Sequence, residues 1–143
     1  MRYSEIDLQC TDVIWFGVDS SDSILVFTSA GCGCVPEYVC RSQEETDTLE
    51  AYFSSLPQNK AAQVEDGTDE NAKDEALSWA QRGIYYYDVA FDDGYADSYV
   101  KASRPESSIK LNDLPANIKE ILADHKIDAD ASLTTRIKVK HAY

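Results

Sequence analysis

Two apolar, β-rich runs separated by five turn-forming residues constrain the fold of this chain more than any other feature. Val13-Ile14-Trp15-Phe16-Gly17-Val18 and Ile24-Leu25-Val26-Phe27-Thr28 flank Asp19-Ser20-Ser21-Asp22-Ser23. Each run has strand length and carries almost no polar side chain, so each reads as a buried strand. The segment between them holds Asp and Ser, which bond their own backbone in turns. A hairpin at the centre of a sheet is therefore expected, with Asp19 and Asp22 serving its turn.

The rest of the chain supplies helices to pack on that sheet and strands to extend it. Ser42-Gln43-Glu44-Glu45 is a capping-box sequence, in which Ser42 accepts from the Glu45 amide and the Glu45 carboxylate reaches back. It opens a helix over 43–55 with Leu49, Tyr52, Phe53 and Leu56 as one apolar stripe and Pro57 as its stop. Residues 58–74 are polar and hold the acidic run Glu65-Asp66-Gly67-Thr68-Asp69-Glu70, the composition of a mobile surface loop. A helix over 70–82 follows, with Ala72, Ala76, Trp79 and Ala80 inward and Gly83 as its C-terminal cap.

Period-two patterning returns at Ile84-Tyr85-Tyr86-Tyr87-Asp88-Val89-Ala90-Phe91, with Tyr85, Tyr87, Val89 and Phe91 on one face and Tyr86 and Asp88 on the other. Asp92-Asp93-Gly94 turns the chain into a returning strand near 95–103. Asp113 and Pro115 begin a helix whose inner stripe is Leu114, Ile118, Ile121 and Leu122. Residues 133–140 alternate once more, with Thr135, Ile137 and Val139 on one side and Arg136, Lys138 and Lys140 on the other. No repeat of solenoid period is present. The pattern predicts one α+β domain over 1–143, a largely antiparallel sheet built from hairpins with about three helices on it.

Charge bounds the partners. The chain has 26 Asp plus Glu against 13 Lys plus Arg, a net charge of −13. The excess is uneven: residues 1–100 carry net −15 and residues 101–143 net +2. Such a field repels nucleic acid and anionic membranes and steers basic partners. No apolar leader or run of membrane-spanning length occurs, so a cytoplasmic protein is expected.

Catalytic signatures are missing: there is no phosphate-binding glycine loop, no Gly-x-Ser-x-Gly and no His-Glu-x-x-His, so a non-enzyme without a cofactor is expected. His125 reads as a residue at a helix C-terminus and His141 as part of a frayed tail. Cys10, Cys32, Cys34 and Cys40 could supply four thiolates to zinc, making a zinc-stabilised module or a metal-dependent enzyme the alternative; their spacing is not the paired Cys-x2-Cys form, and structural thiols are the simpler reading. Asp88, Asp92, Asp93 and Asp97 could hold a hard cation but lack a calcium-loop spacing, and turn formation accounts for them. Glu44, Glu45, Asp47 and Glu50 lie on the outer side of the first long helix; with Asp69 and Glu70 they form an expected electrostatic face, and Tyr86, Tyr95 and Tyr99 are its expected aromatic anchors.

In architecture the chain resembles the small acidic immunity proteins of bacterial polymorphic toxin and contact-dependent inhibition systems. The features that carry the resemblance are the opening strand Val13–Val18, the aromatic hairpin from Tyr85 to Tyr99 and the helix entry Leu111-Asn112-Asp113-Leu114-Pro115. The resemblance implies a cytosolic bacterial protein that binds one cognate basic toxin domain, often a nuclease, and occludes its active site. A nuclease presents a basic groove to phosphates, so an acidic inhibitor competes for that groove and associates fast. An adaptor subunit of a larger assembly would use the same surface on a partner that is not toxic.

Overall fold

The computed structural model describes residues 1–90 and 96–143. Both long apolar runs are strands: β1 (Ile14–Val18) and β2 (Ile24–Thr28) pair antiparallel from Ile14↔Thr28 to Val18↔Ile24. Asp19 makes the turn, its Oδ1 accepting from the amides of Ser21 and Ser23, both at 2.9 Å. Asp22 sits there in the left-handed region at φ 62°, which Asp tolerates through local hydrogen bonding.

Among the described residues six strands form one mixed sheet ordered β1-β2-β4-β5-β3, with β6 also on β5. β1 is thus an edge strand, whereas the sequence places the hairpin centrally. That edge is capped by Val18 bridging Lys126 in parallel fashion. β2 pairs in parallel with β4 (Tyr85–Val89), and β4 pairs antiparallel with β5 (Ser98–Pro105). The other edge of β5 takes two short strands end to end: β3 (Ala62–Val64) on 103–105 and β6 (Arg136–Lys138) on 98–100. β3 corrects the expected mobile loop over 58–74, because Ala62, Gln63 and Val64 find Pro105, Arg104 and Ser103 as ladder partners that local composition does not reveal.

Five helices cover the sheet among the described residues. On one face lie α3 (Gln43–Ser54), α4 (Lys73–Ala80, after a 3-10 turn at Glu70–Ala72) and α5 (Ala116–Leu122). They bury Leu49, Phe53, Ala76, Trp79, Ile118 and Leu122 against Phe16, Val18, Ile24, Val26, Ile84 and Tyr86. Fully burying Leu49 and Phe53 stabilises α3 by about 2 kcal/mol each. Ser42 Oγ caps α3 by accepting from the Glu45 amide at 3.1 Å, but the Glu45 carboxylate turns to Arg41 Nε at 3.6 Å instead of closing the box. At α5 the N-cap is Pro115; Asp113 closes the preceding 3-10 turn, Leu111–Asp113, by accepting from the Lys110 amide at 3.1 Å.

The opposite face is covered by two short helices absent from the sequence reading, α1 (Glu5–Cys10) and α2 (Glu37–Cys40), together with the Gly-Cys loop and the C-terminal segment. Trp15, Phe27, Tyr87 and Tyr99 form an aromatic stack there, Trp15 lying parallel to Phe27 at 4.0 Å and edge-on to Tyr99 at 5.6 Å. The C-terminal segment is tied down: Val35 N donates to His141 Nδ1 at 3.0 Å and Ala142 N to Val35 O at 2.9 Å, which corrects the frayed tail.

Candidate functional site

A cleft of about 480 Å³ opens on the helix-covered face, where α4, the segment 66–72 and the ends of β2 and β4 meet. Its carboxylates are Asp12, Asp66, Asp69, Glu75 and Asp88. Alternation along β4 explains the placement of Asp88. Ile84 and Tyr86 point under the helices, and Asp88, two residues on, reaches the cleft where that cover ends. Asp12 arrives on the segment that enters β1, and Glu75 on the first turn of α4.

A directed hydrogen-bond chain runs into the floor. Thr28 Oγ1 donates to Asp88 Oδ1 at 3.0 Å, and the Val89 amide donates to the same oxygen at 2.9 Å. A carboxylate only accepts, so the Thr28 proton is committed and the Tyr86 hydroxyl, 3.0 Å away, donates to Thr28 Oγ1.

Burial raises the Asp88 carboxyl above the ordinary range, and Asp12 and Asp69 push it further against the two hydrogen bonds that favour the anion. Glu75 is raised by burial and then by Asp12, Asp88 and Glu50, against a Trp79 hydrogen bond. Glu50 on α3 is raised by burial, then by Asp47 and Asp12. Asp12 thus acts on all three, and the carboxylates of α3 and the cleft share one field. The only cation of the described lining is Lys101, whose ammonium lies against the other core layer, donating to Ala131 O at 2.6 Å above the Tyr85 ring. What the arrangement can do is offer a cationic group from outside a negative cleft with a half-buried carboxylate, Asp88, at its floor and exposed ones, Asp12, Asp69 and Glu75, at its rim.

The sequence-derived face divides. Asp69 lines the cleft, its Oδ1 also capping the 3-10 turn through the Asn71 amide at 2.8 Å, and Asp47 and Glu50 belong to the shared field. Glu44 is paired with the Met1 amine, Glu45 with Arg41, and Glu70 with Lys73 at 2.8 Å, so these three are compensated within the chain. Two expected anchors are core residues: Tyr86 is 2 % and Tyr99 0 % exposed. Tyr86 lines the cleft with its hydroxyl 3.0 Å from Thr28 Oγ1, and Tyr99 donates to Cys34 O at 2.7 Å on the far face. Tyr95, with Asp92 and Asp93, lies outside the described residues. Asp88 belongs to β4 rather than to the turn, and Asp97 Oδ2 is 3.5 Å from Lys138 Nζ. Asp12, Glu75 and Asp88 are the residues missed as a group. Only the shared face of Tyr86 and Asp88 is visible in the sequence.

The thiols do not converge. Cys10 is exposed, Cys32 half-buried, and Cys34 and Cys40 buried. Among the described residues no three His, Cys, Asp or Glu side chains are grouped as a metal ion requires, which corrects the four-cysteine zinc site. Burial raises the Cys34 thiol and lifts Cys40 to about 11, the opposite of the thiolate character that ligation or nucleophilic attack needs. His125 closes the turn after α5, its amide donating to Leu122 O at 3.0 Å, with its ring packed on Tyr38 and its Nδ1 3.0 Å from Asp124. Burial lowers its pKa against the pull of Asp124.

No family model matches the chain, and neither the curated proteins nor the solved structures include a match. No helix among the described residues is long and apolar enough to cross a membrane.

Proposed function

We propose that this chain is a non-catalytic binding protein that neutralises a cognate bacterial toxin domain, its acidic cleft engaging the basic surface with which that domain meets its own substrate. The observation that carries the reading is the set Asp12, Glu50, Glu75 and Asp88, which share one field with no cation set against it among the described residues; Glu50 and Asp88 are half-buried, and Asp12 and Glu75 stand exposed at the rim. Assembling such a set costs the folded chain free energy, because burial and mutual repulsion both disfavour the anions. A partner that brings guanidinium or ammonium groups into the cleft relieves that cost, so the repulsion becomes part of the affinity. A nuclease is the partner that fits best, since its phosphate-binding groove already concentrates such groups.

The reading is tested by capture from the native host lysate with the tagged protein and with the Asp12→Asn/Glu75→Gln/Asp88→Asn variant. The wild type is expected to retain one basic chain that is toxic when expressed alone and harmless when expressed with this protein. The variant should retain at least about tenfold less, the equivalent of 1.4 kcal/mol. Equal retention by the variant removes the cleft from the interface; a retained partner that is harmless alone would make the chain an adaptor subunit.

A further inference from the structure

A second cavity, about 520 Å³ and sharing no residue with the acidic cleft, is lined by every residue from Arg136 to Lys140. Alternate side chains of a strand point to opposite faces, and here Ile137 and Val139 are buried while Lys138 and Lys140 are exposed. A cavity bounded by both sets borders the edge of the strand and not one of its faces. Its facing wall is the segment 126–129 with Tyr38.

That edge is β6's outer one. Lys101 N donates to Thr135 O and Val139 N to Asp97 O, each at 2.8 Å, and these bonds bracket the Tyr99↔Ile137 pair. Positions 135, 137 and 139 therefore direct their main-chain groups to β5. By antiparallel alternation Lys138, lying between them, turns its amide and carbonyl into the groove.

The groove is basic in a chain of net charge −13. Lys126, Arg136, Lys138 and Lys140 line it, with Asp128 the one carboxylate of the described lining; Lys138 Nζ also lies 3.5 Å from Asp97 Oδ2, an exposed and long pair that an incoming carboxylate can replace. Edge lysines ordinarily discourage strand pairing, but that defence is selective: it repels basic strands and attracts acidic ones. A nucleic acid would bring one charge per about 1.7 Å of duplex and extend past the groove toward the acidic remainder of the molecule. A short acidic segment places its charges only where the lysines are, within a Debye length of about 8 Å.

We propose that the groove accepts an extended acidic segment of a partner polypeptide, added as a strand to β6, its main chain on Lys138 and its carboxylates on Lys126, Lys138 and Lys140. The surface is separate from the acidic cleft and does not depend on how the cleft is used.

The probe is an acetylated octapeptide of alternating glutamate and valine, titrated into the labelled full chain by amide NMR and fluorescence anisotropy. The shifts are expected to concentrate at 126–129 and 136–140. Binding should weaken at least about tenfold when lysine replaces glutamate in the peptide, when the amides that face β6 are removed (by N-methylation of the glutamates for antiparallel addition or by proline in place of valine for parallel addition), and when the protein carries Lys138→Glu/Lys140→Glu. Lys126→Gln, which leaves β6 untouched, should weaken it in the same direction, and Glu120→Gln, an exposed position on α5 outside both surfaces, should leave it unchanged. Equal binding of both the N-methylated and the proline peptide would overturn strand addition, since between them they remove every amide able to donate to the ladder. Tighter binding of oligouridylate than of the peptide would make the groove a nucleic-acid surface and overturn the proposal, as would shifts confined to the acidic cleft or an absence of shifts.

Discussion

Gly33→Ala isolates the contact on which the far core layer turns. A Cβ at Gly33 would stand 2.5 Å from Tyr99 Oη, 3.0 Å from Cζ and 3.1 Å from Val89 Cγ2, where ordinary contact begins at 3.4 Å. Something must move by roughly 0.9 Å. The Tyr99 ring has little room to do so. Its hydroxyl donates to Cys34 O at 2.7 Å, it receives Trp15 Nε1 at 3.4 Å, and its ring packs edge-on against Phe27 at 5.3 Å. Overpacking of this kind costs about 2 kcal/mol and a stretched buried hydrogen bond about 1 kcal/mol more. The expected loss is therefore about 3 kcal/mol, or about 12 °C in Tm for a chain of this size. Urea unfolding followed by tryptophan fluorescence reads it, with Trp15 in the affected layer. Tyr99→Phe removes the atom of closest approach, so in that background the same substitution should cost only about 1 kcal/mol, a coupling of about 2 kcal/mol. Equal costs in the two backgrounds, or a loss below about 0.5 kcal/mol in the wild type, would refute the argument that the Tyr99 hydroxyl is what requires glycine at position 33.

Asp19→Ala should cost about 4 kcal/mol in urea unfolding, because its two oxygens accept from the Ser21, Ser23 and Ala131 amides and the residue is only 3 % exposed. Asp88 and Glu75 have folded pKa values raised above 3.8 and 4.5, so the stability they contribute is present below those values and lost as pH rises through the raised ones. Asp88→Asn/Glu75→Gln should accordingly gain stability relative to wild type as pH rises from 4 to 7, a difference read by urea midpoints and absent if the cleft is fully hydrated. Tyr3 is pushed up to about 12 and Tyr38, Tyr86 and Tyr87 are also raised, all chiefly by burial. Their contribution is present below pH 10.0 and lost above it; tyrosinate absorbance should therefore rise together with loss of near-ultraviolet dichroism, and ionisation of all tyrosines in the folded state would contradict this.

Elements with a strong internal period were legible before the structure. The β1–β2 hairpin, α3 with its Ser42 cap, β4 and the alternation at Ile137 and Val139 each express a pattern contained within a few residues. What escaped is non-local. β3 is a strand only because β5 offers it a ladder, and α1 and α2 are too short for periodicity to show. At the site, composition pointed to acidic residues on α3 and near position 69, but the cleft gathers Asp12, Glu75 and Asp88 from elements distant in sequence. Ion pairing withdrew Glu44, Glu45 and Glu70, and burial withdrew Tyr86 and Tyr99. The Arg41–Glu45 and Glu70–Lys73 pairs have i,i+4 and i,i+3 spacing and were legible locally, whereas the Met1–Glu44 pair and the uncompensated grouping of Asp12, Glu75 and Asp88 depend on neighbours that only the fold delivers.

The parallel register of β2 with β4 divides the molecule by order of assembly. β1–β2 is a local ribbon that closes over a five-residue turn, and β4–β5 is likewise a near-neighbour pairing. Their seam joins Thr28 to Tyr86 across a separation of 58 residues, a loop closure of roughly 3.6 kcal/mol in entropy before any contact rewards it. The β2–β4 ladder is what joins the two ribbons, so the Thr28–Tyr86–Asp88 hydrogen bonds complete with the seam itself. The floor of the cleft is therefore made by a long-range closure, and a nascent chain that has emerged only as far as α4 carries the acidic helices without yet possessing the cavity they border.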